Sequence, residues 1–474
     1  MRLHLTTSLR RLLVASAVLA SSTQMVPMAH AAVTQAALQL LTQTGYGARA
    51  DVEHLSEKGF VEQQFVMSGN AQKYKAAGKW TSDGKWGAAV VSNANPYQTA
   101  VIVRRPADPA KFNGIVLVEW LNVSTGYPLD VDWGMTREAI LREGYAYVGV
   151  NTQKVGIEGV QKLKQYGTLY ANYAIPDDKL SYDIMSQAGK AVREQAATLL
   201  GPLQPKVVIA TGHSQSAGAL ITYANAVQPI EGIFDGLLIH GRSNSGLKLS
   251  TADTIPGTTA LRSDTKVPIF MIQSEMDVAI MAPATSKQVD TTMLRHWEVA
   301  GTSHADQYLL DNIGLVSTRE VAWTPPACSS AYNQTPFYMA QIAAVHHLKE
   351  WITHGTVPPV APRMQRDFIG SIKKDANGNA IGGLRLPELE VPVAKYSQLN
   401  TTKGSLAFLD LFACVAGGVT TPFPAAKLAT LYPTHTDYVN KYTAAADAAV
   451  AKGYIRPVDR DNAVFRAKQA AIPK

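Results

Sequence analysis

The chain has 474 residues, 46% of them apolar and 17% charged, with a formal net charge of +7. That balance excludes a disordered chain, and no dense Lys/Arg stripe with interleaved aromatics speaks for a nucleic-acid partner. No later stretch reaches the ~18 uninterrupted apolar residues of a membrane helix, so no membrane span is expected.

The N-terminus reads as a targeting signal. Arg2, Arg10 and Arg11 give a positive start without an acidic residue, and Leu12 to Ala20 form a short apolar run. Ala29-His30-Ala31 then sets small residues at the two positions a signal peptidase reads. The pattern predicts a signal peptide over residues 1–31, cleaved after Ala31, and a secreted or periplasmic protein. Loss of its three Lys/Arg leaves the mature chain at +4. In an oxidising compartment the two cysteines, Cys328 and Cys414, can form one disulfide; the alternative is a pair of buried thiols. Two cysteines so far apart make no zinc pattern.

The mature chain opens with a turn-rich segment to about Asn113, in which Phe65 to Met67 and Ala100 to Val103 read as strands. From Gly114 the pattern changes. Ile115 to Trp120 is an almost continuous apolar run, as expected of a strand buried on both faces. A helix is expected over Asp132 to Gly144, a strand over Tyr145 to Val150, and a long helix over Ser181 to Leu200, capped by Ser181 or Asp183 and stopped by Gly201. Val207 to Ala210 is another buried strand, and Ala217 to Ala226 is helical. Phe234 to Ile239, Val267 to Ile272 and His296 to Ala300 continue the strands. Such alternation predicts an α/β architecture with a mostly parallel sheet covered by helices on both faces. From about Ala361 the chain turns irregular, with a tight turn at Asp375 to Gly378 and helical patterns near Leu406 to Phe412 and Thr436 to Lys452. This part is read as an elaboration on the core, not an independent domain.

One segment carries the chemistry. Val207 to Ala210 runs through Gly212-His213-Ser214-Gln215-Ser216 into a helix, the context that a nucleophile elbow requires. A serine on so sharp a turn needs small residues two positions to either side. Gly212 meets this, and Ser216 stands where glycine is usual. The helix that begins here points its N-terminal amides at the serine, so the Gln215 amide is an expected oxyanion donor. A second donor is expected from the loop after Trp120, at the amide of Leu121 or Asn122. The acid should follow the next strands: Asp277 is the first choice and Glu275 the alternative. His304 lies in the loop after the last strand, completing the order serine, acid, histidine.

Other residues are assigned plainer roles. His346 and His347 read as packing in an apolar helix, His240 as core with a place in the pocket lining as the alternative, and His213 as pointing into the sheet. Tyr170, Tyr173 and Tyr182 are candidates to border the pocket, with a core or surface role equally open.

These motifs, together with Glu119-Trp120-Leu121-Asn122-Val123, Ser181-Tyr182-Asp183-Ile184 and Gly382-Gly383-Leu384-Arg385-Leu386-Pro387, resemble a family of large, often exported bacterial proteins known as alpha/beta hydrolase domain-containing proteins. The resemblance covers nearly all of the mature chain. It implies one catalytic domain over 32–474, with a core of about 113–350 and a C-terminal elaboration of about 361–474. It also implies Ser214, His304 and an acid from Asp277 or Glu275, and it names no substrate. The expected activity is cleavage of a small-molecule or polymeric carboxylic ester without cofactor or metal. Amidase, transesterase or polyester depolymerase chemistry on the same residues, and a catalytically silent binding protein, are the alternatives.

Overall fold

The computed structural model describes residues 32–404 and 407–473. The expected signal peptide over 1–31 lies outside them. Apolar runs decide the centre of the molecule. Nine strands form one sheet: β1 (Ala37–Leu40), β2 (Phe60–Ala77), β3 (Gly87–Pro106), β4 (Ile115–Trp120), β5 (Ala146–Val150), β6 (Val207–His213), β7 (Gly236–His240), β8 (Ile269–Ser274) and β9 (Leu294–Val299). Their order is β1-β2-β3-β5-β4-β6-β7-β8-β9. The strands from β5 to the β9 edge pair in parallel, while β1, β2 and β3 extend the sheet antiparallel.

Every residue of β4 to β9 is buried, because helices cover both faces of the parallel half. Alternate side chains feed two apolar clusters. Leu117, Ile209 and Phe270 face one side with Met135, Ile342 and Leu348. Val116, Val208 and Met271 face the other with Ile184, Leu220 and Phe234. The C-terminal helices His435–Ala451 and Pro457–Gln469 add Tyr438, Tyr442 and Val464 to the first cluster.

Some expected boundaries move. β2 and β3 are far longer than the short apolar runs that announce them. The long helix breaks at Gln195, so Ser181–Glu194 and Ala196–Leu199 are separate. Neither Ser181 nor Asp183 caps it. The Ser181 hydroxyl donates to Thr152 O at 2.7 Å, and Asp183 accepts from the Gln72 amide, the Tyr74 hydroxyl and the Gln187 side chain, bracing β2. The helix expected near Leu406 to Phe412 is Phe408–Gly417. Cys328 and Cys414 are joined by a disulfide. Among the described residues no helix is long and apolar enough to cross a membrane.

The C-terminal segment also blunts an open edge. Leu384 pairs with Val299 of β9: its amide donates to Glu298 O at 2.7 Å, and the Ala300 amide donates back to Leu384 O at 2.9 Å. An edge strand left bare would expose a row of unpaired amides and carbonyls.

Candidate active site

Parallel strands put their C-terminal ends on one rim, and the strand order reverses at β4, with β5 on one side and β6 on the other. Ligands of open α/β sheets bind at such a rim. Three residues from different strand ends meet there. Ser214 follows β6 directly, and the helix Gln215–Thr222 starts on the next residue. Its backbone has φ 60° and ψ −115°. A non-glycine residue held there is strained, at a cost of order 1–3 kcal/mol, and persists only where its surroundings impose it. The Ser214 amide donates to His240 O at 2.9 Å, and its carbonyl accepts from Gly218 at 3.0 Å.

The turn shows why its flanks are small. A Cβ on Gly212 would lie 3.1 Å from the Cβ of Ser216 and 3.1 Å from Leu220. Ser216 replaces the usual glycine without a clash, and its hydroxyl donates to Leu121 O at 3.3 Å.

His304 lies beyond β9. Its Nε2 is 2.9 Å from Ser214 Oγ, and its Nδ1 is 2.6 Å from Asp277 Oδ1. The other Asp277 oxygen accepts from the Ser274 amide at 2.7 Å. Asp277 is fully buried. Burial alone would raise its carboxyl, but His304 and the Ser274 amide outweigh it and hold the group below the ordinary carboxylate range. Asp277 therefore stays ionised against the imidazole.

Glu275 does something else. Its Oε2 accepts from the Gly301 amide at 2.7 Å, and its Oε1 meets Lys374 Nζ and Gln398 Nε2. It fastens the loop leading to His304 to the C-terminal elaboration and makes no bond to the imidazole. Further clamps act on the same loop: the Ala305 amide donates to Ala416 O at 3.0 Å, and the Ser303 hydroxyl donates to Gly417 O at 3.0 Å.

His213 departs from the expected inward orientation. It lines the Ser214 pocket, and its ring stands between two others, with centroids 4.3 Å from His240 and 4.4 Å from His304. Burial, then the neighbouring His240 and His304, push it well below the ordinary histidine range. A neutral ring thus backs His304. Gly241 permits the stack: a Cβ there would lie 3.0 Å from the His213 ring and 3.3 Å from that of His304. His240 is core, as expected, with Nδ1 3.1 Å from Asp132 and 2.6 Å from the Gln341 amide group. His347 packs on Trp297 and bonds Gly453 O at 2.7 Å.

The second oxyanion donor is where the sequence reading fails. The Leu121 amide donates to Val150 O at 3.2 Å, continuing the β4–β5 ladder, and the Asn122 amide donates to Leu129 O at 3.0 Å. Both expected donors are already engaged. Asn122 still lines the pocket, and its side-chain amide holds His213 O at 3.0 Å. Gln215 is the first residue of its helix, where amides lack partners within the helix.

Leu129, Ile313, Trp323 and Phe412 complete the pocket wall, and none was singled out from sequence. Phe412 stands edge-on to His304, with centroids 6.3 Å apart. Of the three tyrosines, none lines this pocket. Tyr182 packs on Trp120, Tyr173 on Tyr170, and Tyr170 borders a neighbouring cavity.

Comparison with known proteins gives the wider context. No curated protein matches the chain significantly. Among solved structures, an α/β serine hydrolase without a lid from Xanthomonas campestris is 16% identical with a TM-score of 0.30, over 53% of this chain and 97% of that one. A glucuronoyl esterase from Teredinibacter turnerae is 12% identical with a TM-score of 0.28, over 51% of this chain and 62% of that one. A fungal esterase from Rhizomucor miehei is 13% identical with a TM-score of 0.30, over 60% and 84%. The sequence model of a family described as "Alpha/beta hydrolase domain" matches residues 26–465. With that match spanning most of its length, the chain belongs to the alpha/beta hydrolase domain family.

Proposed function

We propose that the chain is a serine hydrolase that cleaves a carboxylic ester, of a small molecule or a polymer, through an acyl-enzyme on Ser214. The unbroken path from Ser214 Oγ through His304 to Asp277 supports this reading above any other observation. His304 takes the Ser214 proton as Oγ attacks the ester carbonyl, then delivers it to the departing alcohol oxygen. Water repeats the sequence on the acyl-enzyme and frees the acid. Asp277 fixes the imidazole tautomer and stabilises the imidazolium. The Gln215 amide, at the positive end of its helix, is the proposed donor to the oxyanion.

The reading takes 32–474 as one catalytic domain, exported after cleavage at Ala31. The disulfide fits an oxidising destination. Mass spectrometry of the exported protein treated with a methyl fluorophosphonate tests both parts. The expected result is an N-terminus at Ala32 and one adduct on Ser214, together with loss of p-nitrophenyl acetate hydrolysis. Hydrolysis that survives with Ser214 unmodified would refute the mechanism.

A further inference from the structure

Two cavities at the rim of the sheet share a wall. One is the pocket over Ser214. The other lies across Leu129 and Ile313, which line both. Beyond that pair the second chamber is bounded by Val101 and Ile102 of β3 and by Val160 and Val316. Leu129 and Ile313 are only partly buried although both pack against the apolar core. Side chains with open space on either side have this character.

The charged groups at the chamber wall are satisfied by each other. Arg49 holds Asp130 through two bonds of 2.8 Å, and Arg104 reaches the same carboxylate at 2.7 Å. The chamber thus offers a ligand apolar surface, with no free charge to attract a headgroup.

Its position decides which half of an ester enters. The leaving alcohol must stand within reach of His304 Nε2 to receive a proton. His304 arrives from β9, on one side of β6, and Phe412 lies edge-on beside it. The second chamber lies on the opposite side of β6, against the ends of β4 and β5 and along β3. We infer that this chamber receives the apolar acyl chain of the ester, passed between Leu129 and Ile313, and that the enzyme selects medium-chain acyl groups over acetyl. The inference rests on the acyl-enzyme reading above. Each methylene moved into apolar space is worth up to roughly fourfold in kcat/KM.

The test uses the full mature chain with p-nitrophenyl acetate, butyrate and octanoate. The octanoate-to-acetate ratio of kcat/KM should exceed about ten, and Ile313→Trp or Val316→Trp should lower that ratio at least about tenfold. Acetate preferred by the unaltered enzyme, or variants that leave the ratio unchanged, would overturn the assignment. Should the variants not fold, methyl and octyl fluorophosphonates are compared on the unaltered chain. Faster inactivation by the octyl compound supports the chamber, and equal rates with Ser214 labelled overturn it alone. Absence of any label on Ser214 defeats the acyl-enzyme reading itself.

Discussion

The parallel and antiparallel halves of the sheet each bury a charged cluster, and the two are wired differently. In the antiparallel half, Arg104 of β3 meets Glu62 of β2 and Asp130 at 2.7 Å, and Arg49 bridges Asp130 and Glu53 at 2.8 Å. Arg104 also lies over the Trp133 ring, 4.4 Å from its centroid. Burial would lower this guanidinium, but Asp130 and Glu62 beside it hold it above its ordinary value. Two cations and three carboxylates answer one another, so the cluster closes on itself. In the parallel half, the run from Asp277 through His304 is closed at the carboxylate end and ends at a hydroxyl lining a pocket. The first cluster sets charge against charge, whereas the second run ends at a hydroxyl, Ser214 Oγ.

That contrast can be broken by substitution. Asp277→Asn should lower kcat on p-nitrophenyl esters by about 10⁴, the size of effect seen when a triad carboxylate is neutralised elsewhere. Urea unfolding should shift little beside it. A variant within tenfold of the parent rate would remove Asp277 from the mechanism. Next in size, Arg104→Met leaves buried carboxylates unanswered and should cost about 3–5 kcal/mol of stability. The rate per folded molecule should hold. A cost below about 1 kcal/mol would deny the cluster its structural role. Smallest, Glu275→Gln keeps the shape but loses the charge facing Lys374. It should cost about 1–3 kcal/mol in denaturant unfolding, with kcat within a few-fold of the parent. A collapse of kcat matching that of Asp277→Asn would mean that the two carboxylates are not divided as their contacts indicate.

What could be read from the chain follows the same division. β4 to β9 are buried on both faces, so their apolar runs announce them. Ser214, Asp277 and His304 each sit just past such a run, which is why order and strand context nominate the three together. β2 and β3 were glimpsed only at Phe65 to Met67 and Ala100 to Val103, because much of their length is half-exposed and lacks continuous apolarity. The helix Pro457–Gln469 went unseen: its buried positions include Ala463, Val464 and Ala467, a weak stripe among charges. Leu121 and Asn122 misled for another reason. Whether an amide is free depends on what lies opposite it, and Val150 and Leu129 are brought there by the fold. Sequence ranks Asp277 first but leaves Glu275 open, because their partners, His304 and Lys374, lie far along the chain. The Phe412 wall shares this limit.

The Cys328–Cys414 cross-link closes 86 residues of chain. In the chain-entropy account a loop of that length is worth about 4–5 kcal/mol. Its second cysteine directly follows Ala413 and Phe412, which line the Ser214 pocket. The cross-link therefore anchors one side of the Ser214 pocket as well as the fold. Ser214, His304 and Asp277 stand at strand ends, whereas the wall at Phe412 belongs to a helix that this bond ties down. One covalent bond in the C-terminal elaboration thus sets the position of a wall that the sheet itself does not supply.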